Sequence, residues 1–247
     1  MTNATLSGET VLVTGASAGI GAATVRRVAE DGADVALLAR REDRLRELAA
    51  EVADAHGVET HVLPADVSDP AAVAAAVEST TETLGSLSGV VANAGLARGS
   101  DVETMTDEAF ETMQSVNVAG AFYTAREALP HLRAAAGNLV FIGSFAGQYP
   151  RPFNPVYAAT KWWVRGFALS LAGQVGDDDV GVTVVNPTEV RSEFGSEEGT
   201  AFEERFDPGE VTEPEEVADA VAFALAQKPP TTVNELDVYR RDKFSGF

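Results

Sequence analysis

Short apolar runs and helix-length segments alternate along almost the whole of this 247-residue chain. The apolar runs fall at 10–14, 34–39, 59–64, 88–92, 138–143, 180–186 and 233–238. Between them lie amphipathic or alanine-rich segments near 19–31, 41–56, 70–84, 106–135, 156–175 and 214–227. Runs such as VALLA and VTVVN have no polar alternation, as expected for strands buried on both faces. Regular alternation with two-sided burial predicts an α/β fold: a doubly wound, seven-stranded parallel sheet with helices on both faces. No repeat, linker or shift of composition divides the chain, so residues 1–247 read as one domain.

The first run, Thr10 to Thr14, leads directly into Thr14-Gly15-Ala16-Ser17-Ala18-Gly19-Ile20-Gly21 and then a helical pattern through Val25, Val28 and Ala29. A glycine motif in the context strand–turn–helix predicts a dinucleotide-binding, Rossmann-type unit. Gly15 permits the tight turn, Gly19 lets backbone approach a pyrophosphate, and Gly21 lets the helix pack closely on the strand. The helix N-terminus offers free N–H groups and a positive dipole end to phosphate. Cofactor choice is read from the end of the second strand. An NAD enzyme needs a carboxylate there for the ribose 2′-OH. This chain has Ala39-Arg40-Arg41 instead, and two guanidiniums suit the 2′-phosphate of NADP. For Arg41 a solvated helix face, paired with Glu42 or Asp43, is the alternative.

Tyr157 and Lys161 stand four residues apart, and Ser144 precedes the tyrosine by thirteen. On a helix, positions i and i+4 share a face, so a phenol and an ammonium can enter one cleft. The cation is expected to favour phenolate and lower the tyrosine pKa, making a general acid/base. The Ser144 hydroxyl, arriving from a strand end, can hydrogen-bond the oxygen on which charge changes. Lysine is rare here, with only Lys161, Lys228 and Lys243 present.

Together these residues resemble the short-chain dehydrogenase/reductase (SDR) family over nearly the whole chain. Thr14-Gly15 through Gly19-Ile20-Gly21 is similar to its cofactor loop, Asp66-Val67 to its adenine-contacting site, and Asn93-Ala94-Gly95 to its central strand-end motif. Asn117, Ser144, Tyr157 and Lys161 match its catalytic tetrad in order and approximate spacing. The resemblance implies proton transfer by Tyr157 and a Lys161 hydrogen bond to the nicotinamide ribose. It also implies a water anchored by Asn117, unless that residue is a plain polar helix position. Ser17, Val190 and Ser192 join the expected cofactor contacts, Ser192 standing where the family often has a carboxamide-contacting threonine. The chain departs from the family at Pro187-Thr188, where Pro-Gly is usual. The resemblance further implies a homotetramer built on segments 106–135 and 156–175, although the sequence itself does not separate tetramer from dimer.

The long irregular stretch Glu189 to Val211 follows a strand's C-terminal end, where ligands bind in open α/β sheets, and reads as a substrate lid over 189–211. Short stretches around Ala94-Gly95-Leu96-Ala97, Val156 to Lys161 and Ser192-Glu193-Phe194 resemble the SDR branch acting on serine and other 3-hydroxy acids. Such an anion needs a cation, for which Arg98, Arg151, Arg191 and Arg205 are candidates. Glu193, Glu197, Glu198, Glu203 and Glu204 of the lid would oppose it unless they face solvent. Phe145, Trp162, Phe194 and Phe202 equally suit a neutral ketone or aldehyde, with Trp162 and Trp163 alternatively serving helix packing. A non-catalytic NADP-sensing regulator is the alternative from another class.

A formal net charge of −20 argues against nucleic-acid or anionic-membrane partners, since both want basic patches. The acids are dispersed and lysine is scarce, as in proteins of halophiles, where salt screens self-repulsion. No apolar stretch is long enough to span a membrane, and Met1 to Glu9 lack the features of a signal peptide. The absence of cysteine fits a cytoplasmic protein. His56, His61 and His131 are scattered, and no metal site is expected.

Overall fold

The computed structural model describes residues 6–99, 101–195 and 199–245. Its centre is one parallel sheet of seven strands: β1 (Thr10–Thr14), β2 (Asp34–Ala39), β3 (Thr60–Pro64), β4 (Gly89–Ala92), β5 (Asn138–Ile142), β6 (Gly181–Pro187) and β7 (Glu235–Val238). The order β3-β2-β1-β4-β5-β6-β7 reverses direction between β1 and β4, which opens a crevice at the strands' C-terminal ends. The expected fold class is therefore found, with β3, β4, β6 and β7 starting one or two residues later than the apolar pattern suggested.

Successive strand residues point to opposite faces, and the two cores follow from that period of two. Val11 and Val13 enter one core and Leu12 the other; Val35 and Leu37 separate from Ala36 and Leu38 in the same way. On the first face lie α1 (Gly19–Glu30), α2 (Glu42–His56) and α8 (Pro214–Leu225), contributing Val25, Leu45 and Val221. On the second lie α3 (Pro70–Leu84), α5 (Ala121–Ala135) and α6 (Pro155–Val175), contributing Val77, Leu132 and Val164. The predicted helix over 106–135 is not continuous. It divides into α4 (Asp107–Met113), a π-helical turn over Gln114–Gly120, and α5. Such turns are short, rare and frequent at functional sites, and Asn117 lies within this one.

The stretch 189–211 is less irregular than its composition suggests. Val190 bridges Thr212, and Phe202–Arg205 forms a single helical turn, α7. Glu197 and Glu198 lie outside the described residues, as do residues 1–5 of the N-terminal segment. Among the described residues no helix is long and apolar enough to cross a membrane.

Candidate active site

The crevice at the sheet's C-terminal edge holds a cavity of about 540 Å³. Its walls are the β1–α1 turn, the ends of β2, β4 and β5, the exposed end of α6, and the segment after β6. All of Gly15, Ser17, Gly19, Ile20, Arg40, Arg41, Asp66, Val67, Asn93, Ala94, Gly95, Ser144, Tyr157, Lys161, Pro187, Val190 and Ser192 line it. Gly21 and Asn117 stand behind the wall.

Each glycine of the turn has a separate cause. Gly15 and Gly19 have φ of +66° and +51°, a region other L-residues enter at a cost. A Cβ on Gly21 would lie 2.6 Å from Asn93 Nδ2 and closer still to the Gly15 carbonyl, so α1 can seat against β1 only without a side chain there. Ala18 at the N-cap makes no side-chain hydrogen bond, which leaves the first N–H groups of α1 directed at the cavity end. Asn93 fixes this turn. Its Nδ2 donates to the carbonyls of Thr14 (2.8 Å) and Gly15 (3.2 Å), and its N–H donates to Thr14 Oγ1 (3.0 Å). The amide of Asn93 is thus committed to holding the β1 turn against the end of β4. Asp66 similarly accepts from the N–H (2.9 Å) and hydroxyl (2.8 Å) of Ser68, closing the loop that exposes Val67 to the cavity. The cradle, the open helix end and the cavity size fit a dinucleotide.

Arg41 does not pair along its own helix. Its Nε donates to Ser17 Oγ at 3.1 Å and its Nη1 to Glu193 at 2.8 Å, while Glu42 is taken by Arg46. Arg44 also grips Glu193. Burial alone would raise the Glu193 pKa, but hydrogen bonds from Arg44 and Arg41 outweigh it and hold the carboxyl below its usual range. Arg40 is exposed and lines the cavity beside them.

Tyr157 and Lys161 project from one face of α6, next to the end of β5. Lys161 is 5% exposed and its Nζ donates to the Ile142 carbonyl at 2.8 Å. Burial brings its pKa down to about 8. For Tyr157 burial dominates in the opposite direction and pushes the pKa up to about 12, against the lowering effects of a Ser144 hydrogen bond and the Arg151 charge. This is a correction to the sequence expectation that Lys161 lowers the tyrosine. The ammonium is drawn to a backbone carbonyl, 5.9 Å from the centre of the Tyr157 ring. Ser144 Oγ also accepts from the Ala146 N–H at 3.1 Å, which orients the hydroxyl toward the tyrosine. Asn117 is equally committed: Nδ2 donates to Leu96 O (2.8 Å) and Thr160 Oγ1 (3.1 Å), and Oδ1 accepts the Leu96 N–H (2.9 Å). Its side chain anchors the segment after β4.

At the other end of the cavity, four groups form a cluster that the sequence did not reveal. Lys243 Nζ donates to both oxygens of Glu189, at 2.6 and 2.8 Å, and stands 4.6 Å above the Phe145 ring. Arg151 and Arg240 approach the same carboxylate at 3.7 and 4.0 Å. Burial would raise the Glu189 pKa, and its bond to Lys243 and the cationic neighbours hold it low. Arg240 is also paired with Asp242, at 3.1 Å, so Lys243, Arg151 and Arg240 face two carboxylates. The rarity of lysine was the only hint, because Lys243 and Glu189 are 54 residues apart. Of the four arginines considered for an anionic substrate, only Arg151 lines the cavity. Arg98 bonds Thr112, Arg191 donates to the Phe206 carbonyl, and Arg205 lies over the Phe202 and Phe206 rings. Phe145, Phe194 and Phe202 line the cavity, but Trp162 is not in its wall, and Trp163 stacks on Phe167. Thr188 has ordinary negative φ, its N–H donates to Val238 O, and its hydroxyl accepts the Arg240 N–H. No glycine is required where the β6 loop is stitched to the C-terminal segment in this way.

The family profile described as short chain dehydrogenase matches residues 9–202. The chain belongs to the short-chain dehydrogenase family. This dehydrogenase is 31% identical over 231 residues to an oxidoreductase of Staphylococcus epidermidis, covering 93% of this chain and 96% of the relative. It is 33% identical over 248 residues to sulfoacetaldehyde reductase 2 of Chromohalobacter salexigens, with 97% of each chain covered. Among solved structures, an alcohol dehydrogenase of Thermococcus sibiricus complexed with 5-hydroxy-NADP superposes with a TM-score of 0.86 at 30% identity, covering 94% of this chain and 96% of that one. The protein is accordingly a nicotinamide-dependent SDR oxidoreductase acting on hydroxy or carbonyl compounds.

Proposed function

We propose that this dehydrogenase uses NADP and interconverts a small anionic carbonyl compound and its alcohol, a 3-hydroxy acid or close analogue. The observation that carries the substrate reading is the cluster at Glu189. Lys243, Arg151 and Arg240 outnumber the two carboxylates, Glu189 and Asp242, by one, and Arg151 and Lys243 line the cavity, so this end carries an excess cation in a chain whose net charge is −20. The relative that reduces sulfoacetaldehyde, itself an anionic aldehyde, supports the same class. Asn154, in the cavity wall with its Oδ1 buried and unpaired, is a further acceptor for a substrate hydroxyl. The cofactor reading rests on Arg40 and Arg41 at the end of β2, a strand that does not itself end in a carboxylate, with Ser17 beside Arg41.

A nicotinamide cofactor held by the glycine turn, Arg40 and Arg41 would supply or accept the hydride. In the reducing direction Tyr157 gives its proton to the carbonyl oxygen, and a pKa near 12 keeps that proton in place until charge builds on the oxygen. Ser144 hydrogen-bonds the same oxygen and polarises it. Lys161 would hold the cofactor by a hydrogen bond to its ribose, and Asn117 fixes the Leu96 segment against α6. Phe194 packs 5.6 Å from the Tyr157 ring, which supports a lid role for segment 189–211 in shielding the tyrosine from water. Residues 1–247 act as one domain, assembled as a homotetramer through α5 and α6. Phe122 and Trp163 there are 39% and 37% exposed, large apolar surface for a partner copy to cover. The dispersed acids serve function in high salt.

Absorbance at 340 nm tests the reading, with NADP⁺ or NAD⁺ and a panel of 3-hydroxy acids, hydroxysulfonates and neutral alcohols in high-salt buffer. Reduction of NADP⁺ by an anionic substrate is the expected result. Activity confined to neutral alcohols would refute the role given to the cationic cluster, and activity with NAD⁺ alone that given to Arg40 and Arg41. Silence with every substrate, alongside tight NADPH binding, would favour a sensor.

A further inference from the structure

The segment after β6 reaches across the whole crevice. In the sheet, β2 and β6 are four neighbours apart, roughly 19 Å at the usual strand spacing. Yet Glu193, six residues beyond the end of β6, pairs with Arg41 just after β2 and with Arg44 in the first turn of α2. Ser192 lies against the glycine turn on the way: a Cβ built on Gly19 would meet the Ser192 Cβ at 3.1 Å. The polypeptide from Ser192 to Glu193 is therefore a strap over the channel between the glycine turn and the cavity floor. Its outer end is fastened to the guanidinium that faces Ser17.

We propose that Glu193 is a specificity-determining residue for the cofactor, acting through Arg41 as an internal competitor of the 2′-phosphate. The inference rests on the NADP reading given above. Arg41 has one fork of N–H donors, and it is divided between Ser17 and a carboxylate. A phosphate at the 2′ position needs the same donors and carries like charge to Glu193. It takes Arg41, and Glu193 keeps Arg44, on the outer side of the strap. A cofactor with a plain 2′-hydroxyl makes no such demand and leaves the pair intact. Glu193 thus weakens binding of NADP selectively, moderating an arginine-rich site that would otherwise hold it more tightly. Arg44 has the opposite effect, because it draws the carboxylate away from Arg41. The three side chains are between 35% and 47% exposed, so the exchange takes place within reach of solvent.

The test is calorimetric titration of NADP⁺ and NAD⁺ into wild type, Glu193→Gln, Arg44→Ala and the double variant, at two KCl concentrations. Expected for Glu193→Gln is NADP⁺ binding about two- to fivefold tighter, within the range of a partly exposed ion pair, with NAD⁺ binding left nearly unchanged. Arg44→Ala is expected to weaken NADP⁺ binding in the wild-type background and to have little effect once Glu193 is Gln. Higher KCl should shrink both effects. Equal or weaker NADP⁺ binding by Glu193→Gln, or equal gains for both cofactors, would overturn the proposal. So would an Arg44→Ala effect of the same size in both backgrounds, which would mean that Arg44 meets the phosphate itself. If Glu193→Gln fails to fold, Glu193→Ala takes its place in the same cycle, with the same results expected and the same results overturning the proposal. Tighter wild-type binding of NAD⁺ than of NADP⁺ would instead refute the underlying cofactor reading.

Discussion

Replacing Lys161 by Met removes a buried ammonium while keeping a side chain of similar length, and the two proteins should differ most in how stability depends on pH. Burial lowers the Lys161 pKa from 10.5 to about 8, so the folded state gives up its proton more readily than the unfolded chain. Stability must then rise with pH across that interval, because the unfolded state binds more protons there. Below pH 8 the full cost of keeping the amine charged is carried, and above the ordinary lysine value it vanishes. Each tenfold loss of proton affinity costs about 1.4 kcal/mol, which makes about 3 kcal/mol at pH 7 and about 1 kcal/mol at pH 10. Lys161→Met is free of this cost. The variant also leaves the Ile142 carbonyl without its donor, an offset of roughly 1–3 kcal/mol that does not vary with pH. Urea unfolding at fixed protein concentration and 2 M KCl, at pH 7, 8, 9 and 10, should show wild type gaining about 2–3 kcal/mol on the variant. Parallel stability curves would refute the claim that Lys161 is held as a desolvated amine.

Tyr157→Phe should lower kcat by about 10²–10⁴-fold, the usual worth of a positioned acid/base, while NADPH fluorescence titration shows binding retained. Gly21→Ala puts a methyl 2.6 Å from Asn93 Nδ2, so α1 must shift; we expect a loss of roughly 1–3 kcal/mol in urea unfolding, with cofactor affinity falling alongside. Lys243→Met should raise KM for an anionic substrate and leave KM for a neutral alcohol nearly unchanged, which steady-state kinetics would read directly. Moving from 2 M to 0.1 M KCl lengthens the screening distance to about 10 Å and exposes the self-repulsion of a −20 chain. Its melting temperature should fall; a rise would refute the assignment to a high-salt environment.

Most of the fold was legible because its signals are local. A strand buried on both faces must be apolar throughout, and Val11 through Val13 or Ala36 through Leu38 declare this without reference to any distant residue. The glycines at 15, 19 and 21 were equally legible, since a positive φ or a missing Cβ is a demand made on one residue. The i, i+4 spacing of Tyr157 and Lys161 placed both on one helix face. What spacing cannot supply is the competition for each group once the chain is packed. Lys161 reads as a cation beside a phenol, but burial and the Ile142 carbonyl decide its state, and Ile142 is 19 residues away. The helix over 106–135 reads as continuous because its periodicity barely changes, whereas the π turn at Gln114–Gly120 adjusts the backbone that presents Asn117. Arg41 reads equally well as a helix-surface charge or a phosphate ligand; only the crossing of the crevice by Glu193, 152 residues later, shows which carboxylate claims it. The cluster of Lys243, Arg151 and Arg240 on Glu189 belongs to the same category. Local sequence determines backbone conformation and burial because those depend on a residue and its near neighbours. Ionisation, pairing and pocket charge depend on side chains that meet only when the sheet brings their strand ends to a common edge.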